Sequence, residues 1–161
     1  MSDTFRITLA QLNATVGDLS GNGAKVRAAW AEAKAAGSDM VALPEMFITG
    51  YSTQDLVMKP AFYRAAIAEV EQIARDCADG PMIAVGGPWF EDGRLANAYH
   101  ICKGGAVVAR QLKHYLPNYD VFDEVRQFRR GPLQGPYDAG PLRIGSPICE
   151  DAWYVDVCEA R

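Results

Sequence analysis

The residues of this chain best suited to chemistry lie in three short segments, the most telling being Gly145-Ser146-Pro147-Ile148-Cys149-Glu150-Asp151-Ala152-Trp153. An apolar strand signal at Leu142, Ile144 and Ile148 runs into a cysteine, and two acids suited to a helix's first turn follow at once. A sharp strand-to-helix turn of this kind lifts a side chain out of the sheet edge. It also sets the thiol at the positive end of a helix dipole, where thiolate is favoured. Cys149 is therefore expected to be a displayed nucleophile. Glu45, in Leu43-Pro44-Glu45-Met46-Phe47, follows a short buried strand, and sites in α/β sheets assemble at such strand ends. A solvated loop acid is the commoner fate of such a residue, but the neighbours Leu43, Met46, Phe47 and Ile48 favour a desolvated carboxylate usable as a base. Lys113 closes the strand Val107 to Leu112. Alternation from Val107 puts Ala109, Gln111 and Lys113 on one face, so the lysine is expected to point inward rather than snorkel.

Periodicity defines the elements that must position these groups. Phe5 to Leu12 reads as a strand, residues 23–36 as a helix stopped by Gly37, and Met40 to Leu43 as a short buried strand ending at Pro44. A second helix starts at Pro60 and carries Phe62, Ala66, Ile67, Val70, Ile73, Ala74 and Cys77 at helical spacing. Pro81 to Pro88 contains an apolar strand, and residues 96–102 and 106–113 form a hairpin turning at Lys103-Gly104-Gly105. Residues 114–140, rich in Gly, Pro and aromatics, read as a long functional loop. This order predicts a mixed α/β layer structure with its helices outside. Asp18, Gly21, Asn22 and Gly23 read as a turn, and their lone Gly-x-Gly is too weak a pattern for a nucleotide site.

Composition narrows the partners. The 161 residues are 49% hydrophobic and 22% charged, with a net charge of -4, an ordinary globular balance that argues against nucleic acid or an anionic membrane. No apolar run approaches the length of a membrane span, and Met1-Ser2-Asp3-Thr4 has neither the basic nor the apolar region of a signal peptide. Cys77, Cys102, Cys149 and Cys158 contain no Cys-x-x-Cys pair, which fits a reducing, cytoplasmic setting. His100 and His114 lie far from any cysteine pair, so no metal site is expected. Cys77 and Cys102 read as buried packing thiols, Cys158 as a residue of the helix after the nucleophile turn.

Taken together, Glu45, Lys113 and Cys149 occur in the order and contexts of the Glu-Lys-Cys triad of the nitrilase superfamily. Leu43-Pro44-Glu45-Met46-Phe47-Ile48-Thr49-Gly50-Tyr51 with Asp55-Leu56 resembles the first-acid motif of glutamine-dependent NAD synthetases. Lys113 to Glu124, with its Leu116-Pro117-Asn118-Tyr119, resembles their lysine loop, and Ile148 to Trp153 their nucleophile segment. The resemblance runs from about residue 5 to the end of the chain.

It implies a four-layer α-β-β-α sandwich, incomplete on its C-terminal side, so that residues 1–161 are expected to be the N-terminal part of a carbon-nitrogen hydrolase domain. It also implies that Cys149 attacks the carboxamide of L-glutamine, that Glu45 is the general base, and that Lys113 with a backbone N–H after the turn stabilises the oxyanion. Tyr51, Tyr119, Phe122 and Glu150 match family positions lining the glutamine pocket, where aromatic walls exclude water and an acid holds the substrate ammonium. Their plainer readings are packed aromatics and a helix-start acid. Glu124 stands eleven residues after Lys113, farther than the usual offset of the family's supporting glutamate, and is left outside the catalytic set. No cofactor is implied for glutamine hydrolysis; ATP and Mg2+ belong to a separate synthetase domain that converts deamido-NAD to NAD with the released ammonia. That domain is expected to be absent here, and the family implies a homo-oligomer at full length. The alternatives are a free-standing amidase for another small carboxamide, a hydrolase pairing Cys149 with His114 or His100, and an inactive fragment.

Overall fold

The computed structural model describes residues 4–161, so the reading of Met1 to Asp3 lies outside the described residues. β1 (Ile7–Leu9) is shorter than the expected strand. Only these three residues pair in parallel with β2 (Met40–Ala42), which is itself three residues long. β2 pairs in parallel with β3 (Met82–Glu91), and β3, β4 (Arg94–Lys103) and β5 (Ala106–Leu112) continue the sheet as antiparallel neighbours. The five strands therefore stand in chain order, parallel on one side and antiparallel on the other.

The β3–β4 connection is the two-residue turn Asp92-Gly93, both at positive φ (52° and 75°). This geometry continues the strand twist into a tight hairpin. The sequence reading ended β3 at Pro88 and missed this Asp-Gly signal. The following turn, at Gly104-Gly105, falls where it was expected.

Two helices cover one face of the sheet. α1 (Leu19–Ala35) is capped by Asp18, whose side chain accepts the Gly21 N–H at 2.9 Å. The expected turn at residues 18–23 is thus the start of the helix. Glycines there cost helix propensity; at Gly23 the missing Cβ leaves room for the Glu69 carboxylate of the second helix, which would otherwise lie 2.0 Å away and have to shift. That helix, α2 (Pro60–Asp76), begins at Pro60 as expected. Val26, Ala29 and Ala33 of α1 and Ala66, Val70, Ile73 and Ala74 of α2 close over Val41, Ile83 and Val85 of the sheet. Each larger aliphatic side chain so buried contributes about 1.5–3 kcal/mol.

On the other face, Met40, Met82, Ala84 and Ile101 pack against Tyr137, Ala139 and Ile144 of a small second sheet. This sheet is the antiparallel pair β6 (Tyr137–Ala139) and β7 (Leu142–Ile144). Helices, main sheet and hairpin reproduce the first three layers of the expected sandwich. Between β5 and β6 the chain is irregular, as expected of 114–140, apart from the one-turn α3 (Glu124–Gln127). A short α4 (Val155–Ala160) ends the chain and carries Cys158.

A bulge between β4 and β5 corrects the face assignment of β5. Cys102 lies opposite Val107 but Ile101 opposite Ala109, so Val108 is an extra residue. Val107 consequently packs on the helix side and Ala109 on the hairpin side. Ala109, Gln111 and Lys113 still share a face, but Val107 does not belong to it.

Gly86 ties the fold to the site. Its N–H donates to the Pro44 carbonyl at 3.3 Å and its carbonyl accepts from the Ile48 N–H at 3.1 Å, so the turn carrying Glu45 lies flat on β3. A Cβ at 86 would meet Met46 N at 2.1 Å and the Glu45 carbonyl carbon at 2.6 Å. These are backbone atoms and cannot rotate away. Gly86→Ala is expected to destabilise the chain by about 2–3 kcal/mol through this overpacking. Thermal denaturation should show it as a fall of roughly 5–10 °C, whereas Gly104→Ala should lack the steric part, since nothing stands within 4 Å of its Cβ.

Candidate active site

Three chain segments converge at one edge of the main sheet. Glu45 comes from the turn after β2, Lys113 directly follows β5, and Cys149 begins a five-residue 3-10 turn, Cys149–Trp153. The Lys113 ammonium is the centre of the arrangement. Its Nζ donates to Glu45 Oε1 at 2.7 Å and to Glu124 Oε1 at 2.9 Å, and the side chain is 0% exposed. Burial works to lower the lysine's pKa, but the charges and hydrogen bonds of the two carboxylates outweigh it, and the net shift is upward. Lys113 is therefore held as a cation. Glu124 is itself pushed up, chiefly by burial, with Lys113 opposing.

Glu124 is a residue that sequence spacing set aside. Its eleven-residue offset is taken up by a tight fold of the intervening loop: Phe122 N–H donates to the Tyr119 carbonyl at 2.9 Å and Glu124 N–H to the Pro117 carbonyl at 3.2 Å. Tyr51 OH then donates to the same Glu124 oxygen at 2.9 Å. Asn97 was also missed. It is fully buried on β4, and its Nδ2 donates to Glu45 Oε1 at 2.7 Å. Tyr99, two residues on, donates to the Leu43 carbonyl at 2.8 Å and so pins the chain just before Glu45. Asn97 and Tyr99, polar-tipped residues alternating with Ala96 and Ala98 along β4, were the signal available in the sequence.

Cys149 is exposed and lies at φ 47°, a left-handed conformation costly for a side-chain-bearing residue. The turn is a single 3-10 turn, interrupted at Tyr154 before α4, rather than the start of a longer helix. The expected dipole effect is correspondingly outweighed. Burial of the thiol end first, and the Glu45 charge second, push the thiol pKa up; Lys113 and the Glu150 N–H pull the other way and lose. The charges that bear on the thiol are those of Glu45 and Lys113. No histidine is among them: His100 is buried in β4, pushed down to about 4 by burial and by Arg110, and His114 Nδ1 lies 2.7 Å from the Gly131 carbonyl.

Asp151, two residues after the cysteine, is fully buried and binds the turn to the lysine segment. Its Oδ1 accepts the His114 and Tyr115 N–H groups at 3.0 and 2.8 Å, and its Oδ2 accepts the Ile148 N–H at 3.3 Å. Arg161, equally buried, stands 3.2 Å from the same Oδ2 and donates to the Leu112 carbonyl at 2.7 Å. The positions of Cys149 and Lys113 are thereby coupled through one carboxylate.

The four expected pocket residues are linked to one another in the structure, though none of them lines the cavity beside the cysteine. Tyr119 OH donates to Glu150 Oε2 at 2.8 Å, and Phe122 stands edge-on to Tyr119 at 5.5 Å and tilted toward Tyr51 at 6.4 Å. Beside Glu45 and Cys149 a cavity of about 370 Å³ opens among Leu43, Tyr99, Ser146 and Ile148. A larger hollow of about 450 Å³, near Phe5, Lys34 and Lys103, contains none of these groups. Among the described residues no cluster of three His, Cys, Asp or Glu side chains converges as a metal site. The Gly21–Gly23 segment presents carboxylates of Asp18 and Glu69 where a phosphate would need donors.

The sequence profile described as carbon-nitrogen hydrolase matches residues 6–160. A glutamine-dependent NAD(+) synthetase of Rhodobacter capsulatus is 54% identical over 160 residues, which are 99% of this chain and 29% of that protein. The structure of a glutamine-dependent NAD+ synthetase from Acinetobacter baumannii, in complex with ADP, superposes with a TM-score of 0.90 at 29% identity, covering 96% of this chain and 29% of that one. The NitN amidase from Neterenkonia sp. AN1 matches with a TM-score of 0.69 at 25% identity, covering 83% of this chain and 52% of the amidase. The chain thus spans under a third of the length of the synthetases it matches. Among the described residues no helix is long and apolar enough to cross a membrane.

Two outcomes follow from this geometry. In a Cys158→Ser background, the pH profile of Cys149 alkylation by iodoacetamide should lie above that of an ordinary thiol. Glu45→Gln should move it to lower pH, because removing a negative neighbour favours the thiolate. Asp151→Ala should cost about 3–5 kcal/mol in urea denaturation, since it leaves the Arg161 charge buried without its partner; the double variant Asp151→Ala/Arg161→Met should recover part of that loss.

Proposed function

The chain belongs to the carbon-nitrogen hydrolase family, and on that premise we propose that it hydrolyses the side-chain amide of L-glutamine through a thioester on Cys149. The observation that carries this reading is the ammonium of Lys113, buried and fixed by Glu45 and Glu124 beside an exposed cysteine. Such a group offers a positive charge where an amide oxygen turns negative, in a place where water does not screen it.

The steps use groups already in position. Glu45 takes the thiol proton as sulfur attacks the carboxamide carbon, and Lys113 with the Glu150 N–H holds the oxyanion. The protonated Glu45 passes its proton to the leaving nitrogen, which departs as ammonia and leaves a thioester. Glu45 then deprotonates a water that attacks the thioester; glutamate departs and the proton returns to sulfur. Glu124 keeps Lys113 charged and aimed throughout. Tyr51, Phe122, Tyr119 and Glu150 form the substrate wall, with the Glu150 carboxylate as the partner for the ammonium of glutamine.

High identity to glutamine-dependent NAD(+) synthetases across nearly the whole chain supports glutamine as the amide donor. It also supports a wider role, in which the ammonia serves an ATP-dependent conversion of deamido-NAD to NAD carried by sequence that this chain does not include. The likeness to an amidase fold keeps a second reading in play, direct hydrolysis of another small carboxamide.

Release of glutamate from L-glutamine tests both. Cys149→Ala, Glu45→Gln and Lys113→Met should each lower the rate at least about a hundredfold, the scale of losing a nucleophile, a general base or an oxyanion donor. Glu150→Gln should chiefly raise KM. Turnover of propionamide or acetamide faster than glutamine would replace the first reading with the second.

A further inference from the structure

Asn97 contacts both residues that the proposed chemistry needs, Glu45 through its side chain and Lys113 through its backbone. Its Nδ2 donates to Glu45 Oε1 at 2.7 Å. Its backbone carbonyl accepts the Lys113 N–H at 2.9 Å, extending the β4–β5 ladder one step beyond the Ala98–Leu112 pair. The side chain is fully buried, and its Oδ1 has no hydrogen-bond partner. A polar residue in that condition is costly where only packing is served; at this position one half of the amide is left unsatisfied so that the other half can reach Glu45.

The choice of oxygen matters. Oε1 of Glu45 already takes the Lys113 ammonium at 2.7 Å, and Asn97 donates to the same atom. Two donors on one oxygen fix the carboxylate's rotation about its last bond. Its second oxygen takes a donor from neither of these groups, and the carboxylate bears on the Cys149 thiol through its charge and a side-chain hydrogen bond. Without Asn97, rotation would let both oxygens turn to the ammonium, a bidentate arrangement that strengthens the ion pair and withdraws the base from sulfur.

We infer that Asn97 is a positioning residue for Glu45, keeping one carboxylate oxygen on Lys113 so that the other can take the proton of Cys149. This rests on the reading of Glu45 as the base for that thiol. Asn97 touches neither sulfur nor substrate in this assignment; it acts through Glu45.

The test uses the full chain in a Cys158→Ser background and compares wild type, Asn97→Leu, Glu45→Gln and the double variant. Leucine matches asparagine in shape and removes only the polar atoms. The pH profile of Cys149 alkylation in Asn97→Leu should shift toward that of Glu45→Gln, and adding Asn97→Leu to Glu45→Gln should produce no further shift. With glutamine as substrate, Asn97→Leu should lower kcat by roughly tenfold or more, the scale of a misaligned general base, with KM within about threefold. A purely structural role would lower the melting temperature without this dependence on Glu45.

An unmoved profile in folded Asn97→Leu, or a shift of the same size in the Glu45→Gln background, would overturn the assignment. Should the leucine variant fail to fold, Asn97→Asp keeps the shape and sets a second carboxylate against Glu45; its alkylation profile should move up by about a unit, as like charges sharing a site dictate, and an unmoved profile would equally overturn the contact. A wild type inert toward glutamine would defeat the proposed substrate, while the alkylation series would still decide the role of Asn97.

Discussion

An ammonium with no access to water sets the terms for the rest of this structure. Taking a lysine's charge out of water costs several kcal/mol even after relaxation, and removing a partner from such a group costs a further few. Lys113 is kept charged because two carboxylates reach it, and neither would be enough to satisfy its donors alone. Each carboxylate then has its own requirement for further donors. Tyr51 adds a donor to Glu124, whose second oxygen stays buried and unpaired, and Asn97 adds one to Glu45. The result is a chain of polar groups drawn from β4, the segments after β2 and β5, and the start of α3, and a change in any one is felt by its neighbours.

That polar chain explains why the fold tolerates strained or tight backbone at its margins. Met46 and Cys149, on either side of the ion pair, both adopt positive φ without being glycine. The first turns the chain so that Glu45 faces Lys113; the second presents the thiol. Close backbone approach at Gly86 and the convergence of donors on Asp151 hold these turns where independent loops would wander. The large aliphatic core between helices and sheet contains none of the charged or nucleophilic groups of the site and meets it at Leu43. Stability of the frame and geometry of the site are thus supplied by different parts of the molecule, and joined at the strand ends.

The sequence was legible where one residue type implies one local outcome. Pro60 opens a helix, Gly104-Gly105 closes a hairpin, and Glu45, Lys113 and Cys149 stand at the ends of apolar runs; all of these appear in the structure. It was less legible where the outcome depends on a partner distant in the chain. Glu124 looked misplaced because spacing along the chain takes no account of how tightly a loop can fold. Asn97 draws no notice, and Asp151 reads only as an acid of a helix's first turn, until the strands or turns facing them are known. The bulge at Val108 left the inward face of Lys113 correct for an incomplete reason, since alternation counted from Val107 starts on the wrong side. The helix-dipole argument for Cys149 failed for a related cause: it weighed the backbone after the cysteine and neither the burial of the thiol end nor the carboxylate of Glu45.

The direction of that last failure bears on how the site would work. A thiol paired with an imidazole rests largely as a thiolate, reactive toward any electrophile that arrives. Here the burial of the thiol end, and after it the neighbouring carboxylate, favour the protonated form, although the residue itself is exposed. Nucleophilicity would then be released only when proton transfer to Glu45 is matched by charge forming elsewhere, on an amide oxygen facing Lys113. In that arrangement one lysine serves both ends of the step. It neutralises Glu45 while the base waits, and it receives the negative charge once the proton has reached that base. The resting thiol is kept quiet by the same carboxylate that later activates it, so selectivity for an amide carbonyl would follow from the need to have both partners present at once.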